Sequence, residues 1–240
     1  MQKYRKDGEM TYALGTELTL ELLKQKPQQV EAVYVHSRQL DNEICREILQ
    51  LCERHRITVI RSDKAFNILN AKENCYIMGQ FRKYASPLSP DENQVVLVNP
   101  GNMGNLGSII RTMLGFGIRD LAIIRPGVDI YDPKVIRATM RAFFLLRFSY
   151  YDSFEEYRQA NPGHHIYTFM LDGQTRLQDV QPGNEKYALV FGNEATGLPQ
   201  QYHEYGDSVF IEQLDTIDSL NLNNAVSIAV YEFTKGHIHE

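Results

Sequence analysis

Apolar positions along this chain alternate between two periods. Short apolar runs at residues 32–35, 57–60 and 75–81 read as strands. Residues 16–25, a stretch starting near residue 41, and residues 63–69 read as helices between them; Ile44, Ile48 and Leu51 share one face of the second. Residues 85–93 hold two prolines and two serines with no apolar period, which predicts a linker. Beyond it, strand-like runs at 94–98, 121–124, 166–170, 188–191 and 209–211 alternate with helical patterns at 108–116, 134–143, 153–159 and 221–234. Continuous apolar strands separated by helices predict an α/β fold with a doubly wound, mostly parallel sheet. The division expected is a small α/β domain at 1–85, a linker at 86–93 and a larger α/β domain at 94–240.

Polar residues concentrate where strands give way to helices. Residues 99–111 read Asn-Pro-Gly-Asn-Met-Gly-Asn-Leu-Gly-Ser-Ile-Ile-Arg. A glycine-rich turn between strand and helix suits a ligand, because the backbone comes close and a helix N-terminus offers free N–H groups. The spacing fits neither the phosphate-binding loop nor the dinucleotide-binding loop. Residues 188–199 form a second junction, an apolar strand running into Gly192-Asn193-Glu194 and Gly197-Leu198. Residues 211–226 form a third, a polar loop feeding an apolar helix.

Asn105 to Thr112, Phe191-Gly192-Asn193-Glu194 with Gly197-Leu198, and Ser219-Leu220-Asn221 stand in the order of three known motifs. Over residues 94–235 the chain resembles the SpoU (TrmH-like) RNA 2′-O-ribose methyltransferases of the SPOUT superfamily. The resemblance implies a deep trefoil knot in the C-terminal segment, S-adenosyl-L-methionine as cofactor, a homodimer, and ribosomal or transfer RNA as substrate. It implies a ribosomal-protein-like RNA-binding role for residues 1–85. It assigns catalysis to Arg111, Asn105, Glu194, Ser219 and Asn221, and cofactor binding to Phe191, Gly192, Asn193, Gly197, Ile211 and Leu220.

Arg111 acts either as the base for the 2′-hydroxyl or as a bidentate ligand of the adjacent phosphate. A guanidinium stays protonated in proteins, which favours the second role. Asn105, six residues before Arg111, either orients that arginine or holds the ribose. Glu194 either pins Arg111 or meets the substrate, and Ser219 is also a ready cap for the last helix. The chain departs from the family pattern at Asn223-Asn224 and at Met140-Arg141, which affects the expected pocket shape. The alternative reading is a non-catalytic RNA-binding or ribosome-associated protein that keeps the fold.

Charge adds one complication. The net charge of −5 is unlike that of an RNA-binding protein, yet residues 101–150 carry seven basic and three acidic residues. Phosphate contact needs only a local patch. Arg111, Arg119, Arg125, Lys134, Arg137, Arg141 and Arg147 make up that block. Three cysteines, Cys45, Cys52 and Cys75, without a Cys-x-x-Cys pair argue against a disulfide framework or a zinc site. They suit a reducing cytoplasm. No apolar run reaches membrane-spanning length, no signal-peptide core stands at the N-terminus, and no metal is expected. His164, His165, His237 and His239 are assigned no catalytic role.

Overall fold

The structure, a computed structural model, describes residues 3–39, 41–69, 75–214 and 216–236. By its contacts the chain divides into two compact units, Met1–Tyr84 with Asp129–Leu145, and Ala85–Val128 with Leu146–Glu240. The expected division at 86–93 keeps 129–145 in the second domain; the contacts assign that segment to the first unit.

The first unit contains β1 (Met10–Leu14), α1 (Thr16–Gln25), β2 (Val30–Val35), α2 (Glu43–Arg54), β3 (Thr58–Arg61), α3 (Asp63–Ile68) and β4 (Ile77–Arg82). Its sheet runs β1-β4-β2-β3, with β4 antiparallel to both neighbours and β3 parallel to β2. β1 was not expected from the apolar pattern. Asn42 starts α2 by accepting the Cys45 N–H at 2.9 Å, a capping bond that the pattern alone does not reveal. Ile48 and Leu51 are buried on its inner face as the period requires.

From residue 85 the chain forms β5 (Gln94–Val98), α4 (Met103–Gly115) and β6 (Asp120–Ile124), then gives α5 (Pro133–Ala138) to the first unit. It continues through β7 (Arg147–Tyr151), α6 (Phe154–Ala160), β8 (His165–Phe169), β9 (Thr175–Arg176), β10 (Tyr187–Phe191), β11 (Asp207–Phe210) and α7 (Leu222–Thr234). The seven strands of the second unit lie in the order β7-β6-β5-β10-β8-β11-β9, every pair parallel. The near-continuous burial of β5, β6 and β10 follows from helices covering both faces. α5 ends earlier than the expected 134–143 helix. Thr139 caps it, and Met140 follows at φ 56°, a left-handed conformation that an α-helix does not continue through. No helix among the described residues is long and apolar enough to cross a membrane.

One charged pair is built into this sheet. Asp120 is fully buried at the start of β6 and stands opposite Arg147 at the start of β7. Its carboxylate accepts the Ser89 N–H at 2.7 Å and Arg147 Nε at 2.9 Å. The pair sets the register between these strands. Asp120→Ala removes the acceptor of Arg147 and of the Ser89 N–H and leaves a guanidinium that water still reaches, and is expected to lower unfolding free energy by about 1–3 kcal/mol. Urea titration of both proteins measures the difference.

Candidate functional site

β5 ends at Val98, and Asn99 turns the chain at φ 52°. Asn102 then opens α4: its Oδ1 accepts the N–H groups of Gly104 at 2.8 Å and Asn105 at 3.0 Å. This satisfies two of the donors that every helix start leaves free. The N–H groups of Gly101 and Asn102 are taken by a residue ninety positions later. Glu194 Oε2 accepts Gly101 N–H at 2.9 Å, and Glu194 Oε1 accepts Asn102 N–H at 3.1 Å. The Asn105 side-chain amide donates to Glu194 Oε1 at 3.1 Å. Burial alone would raise the Glu194 carboxyl; the Gly101 N–H and the other donors outweigh it and hold it below the usual range.

The second motif folds tightly around this contact. A Cβ on Gly192 would stand 2.1 Å from the carbonyl carbon of Gly197, so only glycine fits there. Gly197 has φ 66°, again a glycine conformation. Asn193 accepts Ala195 N–H at 2.9 Å and donates to the Asn99 carbonyl at 2.7 Å. Asn193 and Glu194 thus clasp the loop after β10 to the loop after β5.

A cavity of about 400 Å³ opens on the other side of that loop. Its walls come from the carboxyl ends of β8, β10 and β11 and from the segment entering α7. Phe169 and Phe191 stack at 4.4 Å between ring centres with an interplanar angle of 14°, forming an apolar wall. All six residues expected at the cofactor, Phe191, Gly192, Asn193, Gly197, Ile211 and Leu220, line it, as do Glu194 and Ser219. Asn105 is joined to it through Glu194. Its volume lies within the range of about 300–1,000 Å³ typical of small-molecule sites, and apolar walls with a few polar groups suit a nucleoside. Sequence reasoning missed the wall from the end of β8, Phe169 to Asp172, and missed Gln200. The signal was the Asp-Gly pair directly after an apolar strand.

Arg111 and Asn221 are not among the lining residues. Arg111 is exposed on α4, and its side chain makes no hydrogen bond or ion pair with a described residue. Asn105 does not meet Arg111 to orient it, because both lie within α4 and the Asn105 amide is given to Glu194. Six helical residues turn about 600° and rise about 9 Å, so the two side chains leave from different faces. Glu194 holds the first motif's turn rather than Arg111. The helix cap of α7 is Asn221, which accepts Asn223 N–H at 3.0 Å; Ser219 does not cap it. Asn223, Asn224, Met140 and Arg141 lie outside the cavity lining.

The basic block is divided between the two units: Lys134, Arg137 and Arg141 belong to the first and Arg111, Arg119, Arg125 and Arg147 to the second. Arg147 and Arg125 are paired with Asp120 and Asp152, and Arg141 stands 3.7 Å from Glu17. His164 is hydrogen-bonded to the Glu92 carbonyl and His165 to Asp207, while His237 and His239 lie outside the described residues. No cluster of three or more His, Cys, Asp or Glu among the described residues is placed to hold a metal ion.

Residues 92–231 match the model of the SpoU rRNA Methylase family. The chain belongs to this family. A Listeria innocua protein with the provisional name tRNA (cytidine(34)-2′-O)-methyltransferase is 34% identical over 145 residues, covering 58% of this chain and 85% of its own. The 23S rRNA (adenosine(1067)-2′-O)-methyltransferase of Streptomyces azureus is 25% identical over 196 residues, covering 78% and 73%. Among solved structures, an AdoMet-bound rRNA methyltransferase from Sinorhizobium meliloti superposes with a TM-score of 0.83 at 22% identity, covering 95% of this chain and 88% of that one. The SpoU methyltransferase AviRb from Streptomyces viridochromogenes, in complex with AdoMet, gives 0.80 at 22% identity, covering 97% and 92%. At that identity these two likenesses show the fold, an α/β architecture with a mostly parallel sheet.

The SpoU clasp carries a pH dependence. A carboxylate held below its unfolded value stabilises the fold above about pH 4.3, the ordinary glutamate value, and loses that contribution as pH falls through its folded value. Wild-type protein should therefore lose stability on acidification more steeply than Glu194→Gln, with the two converging at low pH. Thermal melts between pH 3 and pH 7 follow both curves.

Proposed function

We propose that this SpoU-family chain transfers a methyl group from S-adenosyl-L-methionine to a ribose 2′-hydroxyl of RNA. The observation that carries the reading is the cavity at which Phe191, Gly192, Asn193 and Gly197 of the second motif meet Ser219 and Leu220 of the third around one nucleoside-sized space. Relatives named for tRNA and 23S rRNA 2′-O-methylation support the substrate class. When bound, the cofactor supplies a methyl group on a positively charged sulfur.

The chain's own residues divide the remaining work. Phe169 and Phe191 exclude water from the nucleoside, and the Gly192–Gly197 turn brings backbone groups to it. Glu194 holds the first motif against the second, so Asn105 stays beside the cavity wall. Arg111, exposed and with no carboxylate among its described neighbours, is suited to grip an RNA phosphate bidentately and so hold the hydroxyl in position. A guanidinium remains charged, so the phosphate role is preferred to that of base. Ser219 faces the cavity, and Asn221 fixes the start of α7 behind it.

The first unit serves RNA affinity rather than chemistry, since the residues of all three motifs lie in the second unit. The C-terminal segment forms a trefoil knot; support comes from the loop after β10 being tied to that after β5, and from the chain then returning to pack α7 on α4. The active form is a homodimer, supported by exposed Ile228 and Tyr231 on α7. Cys45, Cys52 and Cys75 are buried free thiols, which suits the cytoplasm. The family departures at Asn223, Asn224, Met140 and Arg141 leave the cavity lining intact, which favours an enzyme over a non-catalytic RNA-binding protein.

Arg111→Ala is expected to lower methyl transfer to an RNA transcript by about a hundredfold or more, the scale on which a misplaced reactant loses rate. Calorimetry should show its affinity for S-adenosylmethionine nearly unchanged. Arg111→Lys should also be poor, because an ammonium lacks the planar fork. Normal turnover in either variant would remove Arg111 from the substrate side, and absence of cofactor binding by wild type at millimolar concentration would overturn the methyltransferase reading.

A further inference from the structure

Among the described residues two acidic ones line the cavity, Glu194 and Asp172, and they are differently engaged. Both Glu194 oxygens are committed to the turn after β5. Asp172 follows the end of β8, in a turn that is held firmly. A Cβ on its neighbour Gly173 would stand 2.6 Å from the Val209 carbonyl carbon, so the turn lies directly on β11. Each oxygen of Asp172 has one side-chain partner, and the residue's own backbone N–H also donates to the carboxylate. Oδ2 accepts Gln200 Nε2 at 2.8 Å, and Oδ1 stands 3.3 Å from His203 Nε2. The Gln200 amide, ahead of the His203 contact, holds the Asp172 carboxyl below its usual range, so it is ionised at neutral pH.

A carboxylate oxygen accepts more than one hydrogen bond. With one side-chain partner on each of two adjacent oxygens, the Asp172 carboxylate retains acceptor capacity toward the cavity that it lines. That is the complement of two adjacent hydroxyl donors. The geometry points to Asp172 as the residue that receives the ribose 2′- and 3′-hydroxyls of the bound nucleoside, with Gln200 and His203 as the residues that aim it. The inference rests on the proposed cofactor.

Calorimetry on the full chain tests it with two probes, S-adenosylhomocysteine and 5′-deoxy-5′-methylthioadenosine. The second keeps the ribose and adenine but lacks the amino-acid part. Asp172→Asn should weaken both by about tenfold and by a similar factor, the scale of a lost hydrogen bond to a charged group. Gln200→Ala leaves the carboxylate present but less firmly aimed, and should weaken both by a smaller factor. Wild-type protein should bind the 2′-deoxy and 3′-deoxy forms of methylthioadenosine about tenfold less tightly than the parent. Asp172→Asn should lose this discrimination. The deoxy comparison on wild type alone keeps the inference falsifiable if the variants do not fold.

Three outcomes would overturn it. Unchanged affinities in Asp172→Asn would leave the carboxylate as a structural tie between its turn and Gln200. A loss confined to S-adenosylhomocysteine would place it at the amino-acid ammonium instead. Wild type that binds the parent and deoxy compounds alike would exclude a diol contact. In each of these the wild type binds nucleoside, so the cofactor reading survives; wild type that binds neither probe would end both.

Discussion

A single carboxylate organises the functional half of this protein. Glu194 gives up solvent on entering the fold, and that loss is outweighed by two backbone N–H groups and one side-chain amide. The donors lie in the loop after β5 and the acceptor in the loop after β10, the two strands at which the sheet order reverses. In open parallel sheets such a reversal point is where ligands usually settle. Here the protein fills it with its own hydrogen bonds. The cavity is displaced one strand outward, to the ends of β10, β8 and β11. Asn193, bonded to the Asn99 carbonyl, reinforces the same closure.

How much of this could be read in the amino-acid order depends on the range of the interaction. Local signals were sufficient for β5, β6, β8 and β10, whose apolar runs match their burial on both faces, whereas β11 begins earlier than its apolar residues, at Asp207. The residues around the cavity from the second and third motifs were also legible, because glycines at 192 and 197 mark tight turns at a strand end. β1 was not legible: its burial comes from pairing with β4, some seventy residues away, and a mixed sheet of this kind leaves no fixed local period. Likewise Glu194 shows in sequence only as an acidic residue in a turn, and nothing local says that its partners precede it by about ninety positions. Asp172 went unnoticed because its role depends on Gln200 and His203, which reach it from the segment after β10. The end of α5 needed the left-handed Met140, which no apolar pattern encodes.

The cavity and the exposed arginine of the first motif are separated within the second unit. The nucleoside space is framed by residues after β8, β10 and β11, while Arg111 stands exposed on α4. α4 is nevertheless tied to the site at its first turn through Asn105, and it packs against α7 along its length, with Thr112 and Ser227 hydroxyls 3.3 Å apart and Phe116 against Tyr231. α4 thus carries Arg111 on a regular element tied at its first turn to the cavity wall.

The assignment of residues 129–145 to the first unit has a consequence for synthesis. Chain from between β6 and β7 supplies Tyr131, whose ring packs edge-on against Tyr84, and Phe143 and Phe144, which pack against Phe81. A ribosome that has released residues 1–84 has therefore not yet released what completes their core. Domains ordinarily fold in turn from the N-terminus as they emerge. The aromatic packing of the first unit is complete only when the first two strands of the second unit have also been made. The two units mature as interleaved parts of one folding event, and a cut at residue 85 would divide a core rather than a linker.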